Sequence, residues 1–273
     1  MKFQYSVLMS VYYKEKPEYL KQAIESILCQ TVKPDDFVLV CDGPLNLELD
    51  AVIAAKQQEM GDTLNVVRLV KNCGLGNALN EGIKHCKNEL VARMDSDDIS
   101  VMDRCQKQVE LFEKNPELDI TSGALLEFVT SPDQITGGRT IPCNNDEIIH
   151  YSRKRCPFNH PCVMFKKSAV ESAGGYQEKY HLFEDYYLWI RMLQTVVRRK
   201  ICRMCCFICG RRPICISAVA ELHMQKRCYG STGGYIKSGW TSLVDFCTGA
   251  LPHALVCVMP NKLRKMIYQV LHS

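Results

Sequence analysis

Between residues 5 and 98 short β-rich runs alternate with helical stretches, and this rhythm constrains the fold more than any single residue. The runs 5–11, 37–41, 64–70 and 90–94 are strand-like. Leu20, Ile24, Ile27 and Leu28 stand at helical spacing, and residues 47–60 and 77–86 continue the pattern. Strands separated by helices of about ten or more residues require crossover connections and therefore a mainly parallel sheet. In such sheets ligands bind beyond the carboxyl ends of the strands. Chemistry is accordingly sought at Ser10 and Tyr12, at Asp42 and Gly43, along residues 72–76, and at residues 95–98.

Past Asp98 the pattern is mixed. Residues 102–114 read as a helix ended near Asn115-Pro116, and residues 120–129 as a strand. Residues 131–142, rich in Gly, Pro and Thr, read as a loop, and a helix is expected from Phe183 to Gln194.

The densest chemical signal is Arg93-Met94-Asp95-Ser96-Asp97-Asp98, where an apolar strand runs into three carboxylates. Such like charges are kept together in water or around a cation, and hard oxygen ligands suit Mg²⁺ or Mn²⁺, which can also grip a diphosphate. The plainer alternative is that Asp97 or Asp98 caps a helix beginning near Val101. Asp42, before Gly43-Pro44, either accepts hydrogen bonds from a nucleobase or ribose or simply forms a turn. Two glycines in the Asn72 to Asn80 stretch stand just before a helix, where Asn72, Gly74 and the backbone N–H groups would face a phosphate. The dinucleotide fingerprint needs a third glycine at position 79, which is Leu79, and this weakens an oxidoreductase reading. Glu184-Asp185 opens a helix, so the pair either satisfies the helix dipole or supplies a general base, with Tyr186, Tyr187 and Trp189 framing a sugar. His160, in Asn159-His160-Pro161, either reaches a metal and phosphates or is a satisfied loop histidine.

Composition excludes several classes. The net charge of +4 is modest, and the basic residues do not interleave with aromatics as in nucleic-acid binders, so no nucleic-acid partner is expected. The first ten residues lack the organisation of a signal peptide, so the sixteen cysteines are read as reduced thiols in a cytosol. Cys202-x-x-Cys205-Cys206-x-x-Cys209 imitates zinc spacing without the longer connection between pairs that structural zinc sites use. No run approaches the roughly 18 apolar residues of a spanning helix. The apolar block 250–259, followed by Lys262, Arg264 and Lys265, suits either a core helix or a peripheral membrane contact.

Taken in order, residues 6–12, 39–43 and 72–80, the Asp95-Ser96-Asp97 motif, Asn159-His160-Pro161, Gly174-Gly175-Tyr176 and Glu184-Asp185 resemble the family-two glycosyltransferases of GT-A fold, especially bacterial enzymes of surface-polysaccharide assembly. The resemblance covers roughly residues 3–194. It implies a Rossmann-like α/β domain over residues 1–230, with a nucleotide-binding half to 98, an acceptor half from 99 to 194, and a helical tail over 231–273. It implies an inverting transferase that moves a sugar from a nucleoside-diphosphate donor, uridine-linked as is common in the family, to a saccharide or lipid-linked acceptor at the cytoplasmic face of a membrane. By resemblance Ser10, Tyr12, Asp42, Asn72, Gly74, Arg93 and Asp95 line the donor nucleotide. Asp95, Asp97 and His160 hold Mn²⁺ or Mg²⁺, and Asp185, with Glu184 beside it, is the catalytic base. A nucleotidyltransferase is the enzymatic alternative, although Ser10 to Glu15 lacks its glycine-rich basic loop. A donor-binding protein with impaired transfer is the other alternative.

The last of these readings is motivated by residues 195–230, where family-like text gives way to Arg and Cys, with six cysteines from Cys202 to Cys228. A shifted reading frame accounts for this. Joining the third base of each codon to the first two of the next forces Val from Met204-Cys205 and Leu from Cys205-Cys206. The string L-P-D-V-L-L-Y-M-R is permitted across Ile201 to Gly210, and it resembles what the family carries after its acidic pair. A lineage-specific cysteine-rich insertion is the alternative.

Overall fold

The structure, a computed structural model, describes residues 4–129, 131–178 and 183–195, the backbone of 202–210, and Ser242 and Val244. In chain order the elements begin with β1 (Tyr5–Val11), α1 (Pro17–Leu28), β2 (Asp36–Cys41), α2 (Leu47–Met60), β3 (Leu64–Arg68), α3 (Leu75–His85) and β4 (Leu90–Asp95). They continue with β5 (Asp98–Ser100), α4 (Arg104–Lys114), β6 (Ile120–Phe128), β7 (Ile135–Arg139) and α5 (Asn145–Ser152). A 3-10 turn (His160–Cys162), β8 (Met164–Lys166), α6 (Lys167–Ser172), α7 (Glu184–Thr195) and β9 (Cys202–Gly210) complete the described chain. Two compact units are distinguished, residues 1–148 with 157–212, and residues 149–156 with 213–273. In the second, the backbone N–H groups of Lys154 and Arg155 both bond to the Tyr151 carbonyl at 3.0 Å.

The first unit carries one sheet in the order β3-β2-β1-β4-β8-β6-β9-β5, with β7 paired to β6. Strands β3, β2, β1 and β4 are parallel. They read as nearly unbroken apolar runs because helices cover both faces. On one face Leu20, Ala23, Ile24 and Ile27 of α1 and Leu49 and Ile53 of α2 bury against Val7, Met9, Phe37 and Leu39. On the other face α3 approaches so closely that a Cβ on Gly82 would lie 2.4 Å from Leu8 Cδ1 and 2.7 Å from Val40 Cγ2. Only a glycine permits that approach.

Strand β1 has β2 on one side and β4 on the other, so the connections diverge in opposite directions beyond the ends of β1 and β4. That divergence opens a crevice at their carboxyl ends. Ser10 stands in register with Asp95 there.

Beyond β4 the sheet is mixed, since β8 pairs antiparallel with both β4 and β6. Three expectations change. Residues 131–142 were expected as a loop, yet Ile135–Arg139 forms β7, because the backbone of β6 offers it an antiparallel partner that local composition does not reveal. Asp97 and Asp98 cap no helix: Asp98 begins β5, and α4 starts only at Arg104 with Asp103 at its N-cap position. Gly76 lies inside the first turn of α3 rather than ahead of it.

The side chains of 202–210, the helical tail at 231–273 apart from Ser242 and Val244, and most of the shifted-frame segment lie outside the described residues, as does the basic apolar block proposed for a membrane. Of the shifted-frame segment, Thr195 at the end of α7 and the backbone of β9 are described, the strand running parallel to β6.

Candidate active site

Asp42 directly follows β2, and its buried carboxylate is committed to the neighbouring loop. Oδ1 accepts from the Cys73 N–H at 2.7 Å and Oδ2 from the Gly74 N–H at 3.1 Å, while Asn72 Nδ2 donates to the Asp42 carbonyl at 3.1 Å. The expected phosphate cradle ahead of α3 is thereby corrected. Two of its N–H groups already serve a carboxylate, and an anion placed there would meet like charge. Gly43, at φ +87°, passes so near the same loop that a Cβ would sit 2.5 Å from the Asn72 nitrogen. Asp42 thus splices the ends of β2 and β3 into one wall of the crevice. Ser10 is half-buried on the adjoining strand, Tyr12 half-buried after it, and Asn72 exposed.

The second wall is an ionic chain. Arg93 is fully buried, and its Nη2 lies 2.7 Å from Asp95 Oδ1. Asp95 Oδ2 lies 3.1 Å from His160 Nε2, and His160 Nδ1 lies 3.5 Å from Asp185 Oδ2. Burial works against the charge of Asp95, yet the Arg93 guanidinium and then His160 hold its carboxyl well below the usual carboxylate range. Burial likewise disfavours the Arg93 cation, and the Asp95 and Asp185 charges overcome it and keep the guanidinium protonated.

Arg93 was expected among the donor-binding residues, and its placement corrects that. A side chain without exposed surface touches no donor, so Arg93 acts on the crevice through Asp95. His160, expected at a metal, has both ring nitrogens turned to carboxylates.

Asp185 stands in the first turn of α7, with Oδ1 buried and accepting no hydrogen bond. Glu184 diverges from it. Its buried side chain runs along α3, where a Cβ on Gly76 would lie 3.1 Å from Glu184 Cγ, so the two acidic neighbours do not share one task. Trp189 is fully buried, with ring centroids 5.9 Å from Phe158, 6.2 Å from Phe165 and 6.3 Å from Tyr176. It builds the core behind the site and is not available to a sugar, contrary to expectation.

Residues to which the sequence assigned no individual role support this arrangement. Asn80 pairs with Tyr176 in both directions, Nδ2 donating to its carbonyl at 2.7 Å and Oδ1 accepting its N–H at 2.8 Å. This clamp buries the Tyr176 phenol, and burial together with the Asp185 charge pushes its pKa far above the usual range. Ser96, between the motif aspartates, donates to Glu15 Oε2 at 2.6 Å. A glutamate four residues past a strand carries no sequence signal for that role.

A divalent cation fits only in a particular way. Among the described residues no three His, Cys, Asp or Glu side chains are gathered to hold a metal. Asp95 is already tied to Arg93 and His160, whereas Asp97 is half-buried at the crevice. Mg²⁺ and similar ions are commonly held by one or two carboxylates plus substrate phosphates, and Asp97 with Asp95 matches that donor set.

The sequence profile described as Glycosyl transferase family 2 matches residues 6–173 of this chain. The chain belongs to glycosyl transferase family 2. Among family 2 relatives, the amylovoran biosynthesis glycosyltransferase AmsE of Erwinia amylovora is 43% identical over 190 residues, covering 69% of each chain. The UDP-Gal:alpha-D-GlcNAc-diphosphoundecaprenol beta-1,3-galactosyltransferase of Escherichia coli is 33% identical over 276 residues, covering 97% of this chain and 95% of its own. In fold, this family 2 member resembles residues 1–349 of S. aureus TarS in complex with UDP-GlcNAc, at a TM-score of 0.60 and 16% identity. That match covers 83% of this chain and 66% of the TarS chain, just under two thirds of it. The fold is of GT-A type.

Proposed function

We propose that this family 2 glycosyltransferase moves a sugar with inversion from a UDP-linked donor to a saccharide or lipid-linked saccharide in surface-polysaccharide synthesis. The observation that carries the reading is Asp185 in the first turn of α7, whose Oδ2 faces His160 and whose side chain keeps 15% of its surface exposed. A carboxylate held in place at the crevice and still partly exposed suits a general base. In the transfer the acceptor hydroxyl oxygen attacks the anomeric carbon, the bond from that carbon to the diphosphate breaks, and the hydroxyl proton passes to the Asp185 carboxylate. Attack from the face opposite the leaving group inverts the centre.

The remaining residues bind and orient. Ser10, Tyr12 and the Asp42–Asn72 wall form the nucleoside side of the crevice. Asp97, with Asp95, would hold Mn²⁺ or Mg²⁺, which supplies charge stabilisation for the departing diphosphate when bound. The relatives' names support the substrate class: the E. coli enzyme is named for a UDP-Gal donor and a diphosphoundecaprenol-linked acceptor, and AmsE for amylovoran biosynthesis. No helix among the described residues is long and apolar enough to cross a membrane. The diphosphoundecaprenol-linked acceptor named for the E. coli relative supports a catalytic unit at the cytoplasmic membrane face, reached by peripheral contact.

The test is to incubate the full chain with Mn²⁺, a panel of nucleotide sugars and a GlcNAc-diphospholipid, and to follow nucleoside diphosphate release. Release that depends on acceptor and on one donor supports the assignment. Donor binding without release favours a donor-binding protein, and failure of every donor to bind overturns the reading.

A further inference from the structure

We propose that His160 is a positioning residue: held by Asp95, its ring fixes the rotamer in which the Asp185 carboxylate meets the acceptor hydroxyl. The proposal rests on the reading of Asp185 as the base.

The geometry is a line of four side chains from three elements, running from Arg93 and Asp95 at the end of β4 through His160 in the 3-10 turn to Asp185 on α7. Its far end is held in the core. Arg93 is fully buried and ion-paired with Asp95, and its carbonyl accepts from Arg104 Nη2 at 2.8 Å, which also reaches the Val163 carbonyl at 3.1 Å. The turn that carries His160 is pinned as well. Asn159 Nδ2 donates to the Gly123 carbonyl at 2.8 Å, and the Cys162 N–H to the Asn159 carbonyl at 2.9 Å. With Asp95 at Nε2 and Asp185 at Nδ1, rotation of the imidazole would break both contacts. Asp185 Oδ2 meets His160 while Oδ1 is buried without a hydrogen bond, so the His160 contact fixes the rotamer of the carboxylate. A metal ligand needs a ring nitrogen free of such partners, which separates this role from the one expected from sequence.

Amide side chains divide the two contacts. The Asn amide nitrogen reaches roughly where Nδ1 stands, and that of Gln roughly where Nε2 stands. In the full chain, with Mn²⁺, nucleotide sugar and acceptor, His160→Ala and His160→Gln should lower kcat by about 10- to 100-fold, the range for losing an orienting partner. Donor KM and the Mn²⁺ concentration for half-activation should stay within about twofold, and His160→Asn should recover most of kcat. Equal kcat in all four proteins, or a raised Mn²⁺ requirement in the Ala and Gln variants, overturns the proposal. If the wild type transfers nothing, the proposed function fails, and crystal structures still judge the positioning. Several Asp185 rotamers in His160→Ala against one in the wild type support it, and one shared rotamer rejects it.

Discussion

Arg93 Nη2 lies 2.7 Å from Asp95 Oδ1, joining a guanidinium with no exposed surface to a carboxylate whose side chain is 25% exposed. Removing one partner of a buried pair typically costs about 3–5 kcal/mol, and the partial exposure of Asp95 and its second contact to His160 reduce that. Arg93→Met should therefore destabilise the protein by roughly 2–3 kcal/mol, read as a lower urea midpoint. An unchanged midpoint would show that the pair contributes nothing to the fold.

Asp97 and Asp185 should separate in kinetics. Asp97→Asn removes a hard anionic ligand, so Mn²⁺-dependent donor binding should be lost by calorimetry. Asp185→Asn should leave that binding nearly intact and lower turnover by about a hundredfold or more. Undiminished turnover would place the base elsewhere.

Asp42 contributes through two backbone hydrogen bonds. Asp42→Ala leaves the Cys73 and Gly74 N–H groups without their acceptor, at a cost of about 1–3 kcal/mol, and frees the loop after β3. Thermal denaturation should report the loss, and hydrogen exchange should rise at Cys73 and Gly74. Unchanged protection at those amides would contradict it.

Burial raises the Cys41 thiol from 9.0 to about 11 and the Cys86 thiol from 9.0 to about 12. A raised thiol pKa means that the folded state keeps a proton the unfolded chain releases. Their contribution is complete below the unfolded pKa of about 8.5 and falls away as pH rises towards the folded values. Stability should decline above about pH 9, less steeply in Cys86→Ala. At pH 8, a disulfide reagent should modify exposed Cys29 and Cys143 well before Cys41, Cys86 or Cys105.

Resequencing the source DNA should reveal one missing or added base near codon 194 and a compensating change near codon 230. An unbroken frame at both places establishes residues 195–230 as a genuine insertion.

The parallel half of the fold was legible because two periodicities alternate along residues 5–95: runs buried on both faces of a sheet and stripes such as Leu20, Ile24 and Ile27 on covering helices. The switch between β1 and β4 follows from that order, and with it the region of the crevice, so Ser10, Asp42 and Asp95 could be named before any coordinates. Family membership was legible in the same way, from spaced motifs in order. Long-range pairing decided the rest. Strand β7 exists because β6 accepts it, and Asp42 turns to its own chain because the loop after β3 passes within hydrogen-bonding distance. Local sequence distinguishes neither Arg93 from a donor ligand nor Glu184 from Asp185. Burial of the guanidinium, the close passage of α3 at Gly76 and the position of His160 between two carboxylates arise only when residues 25 and more apart in sequence pack together, since a side chain's partner is set by packing in space.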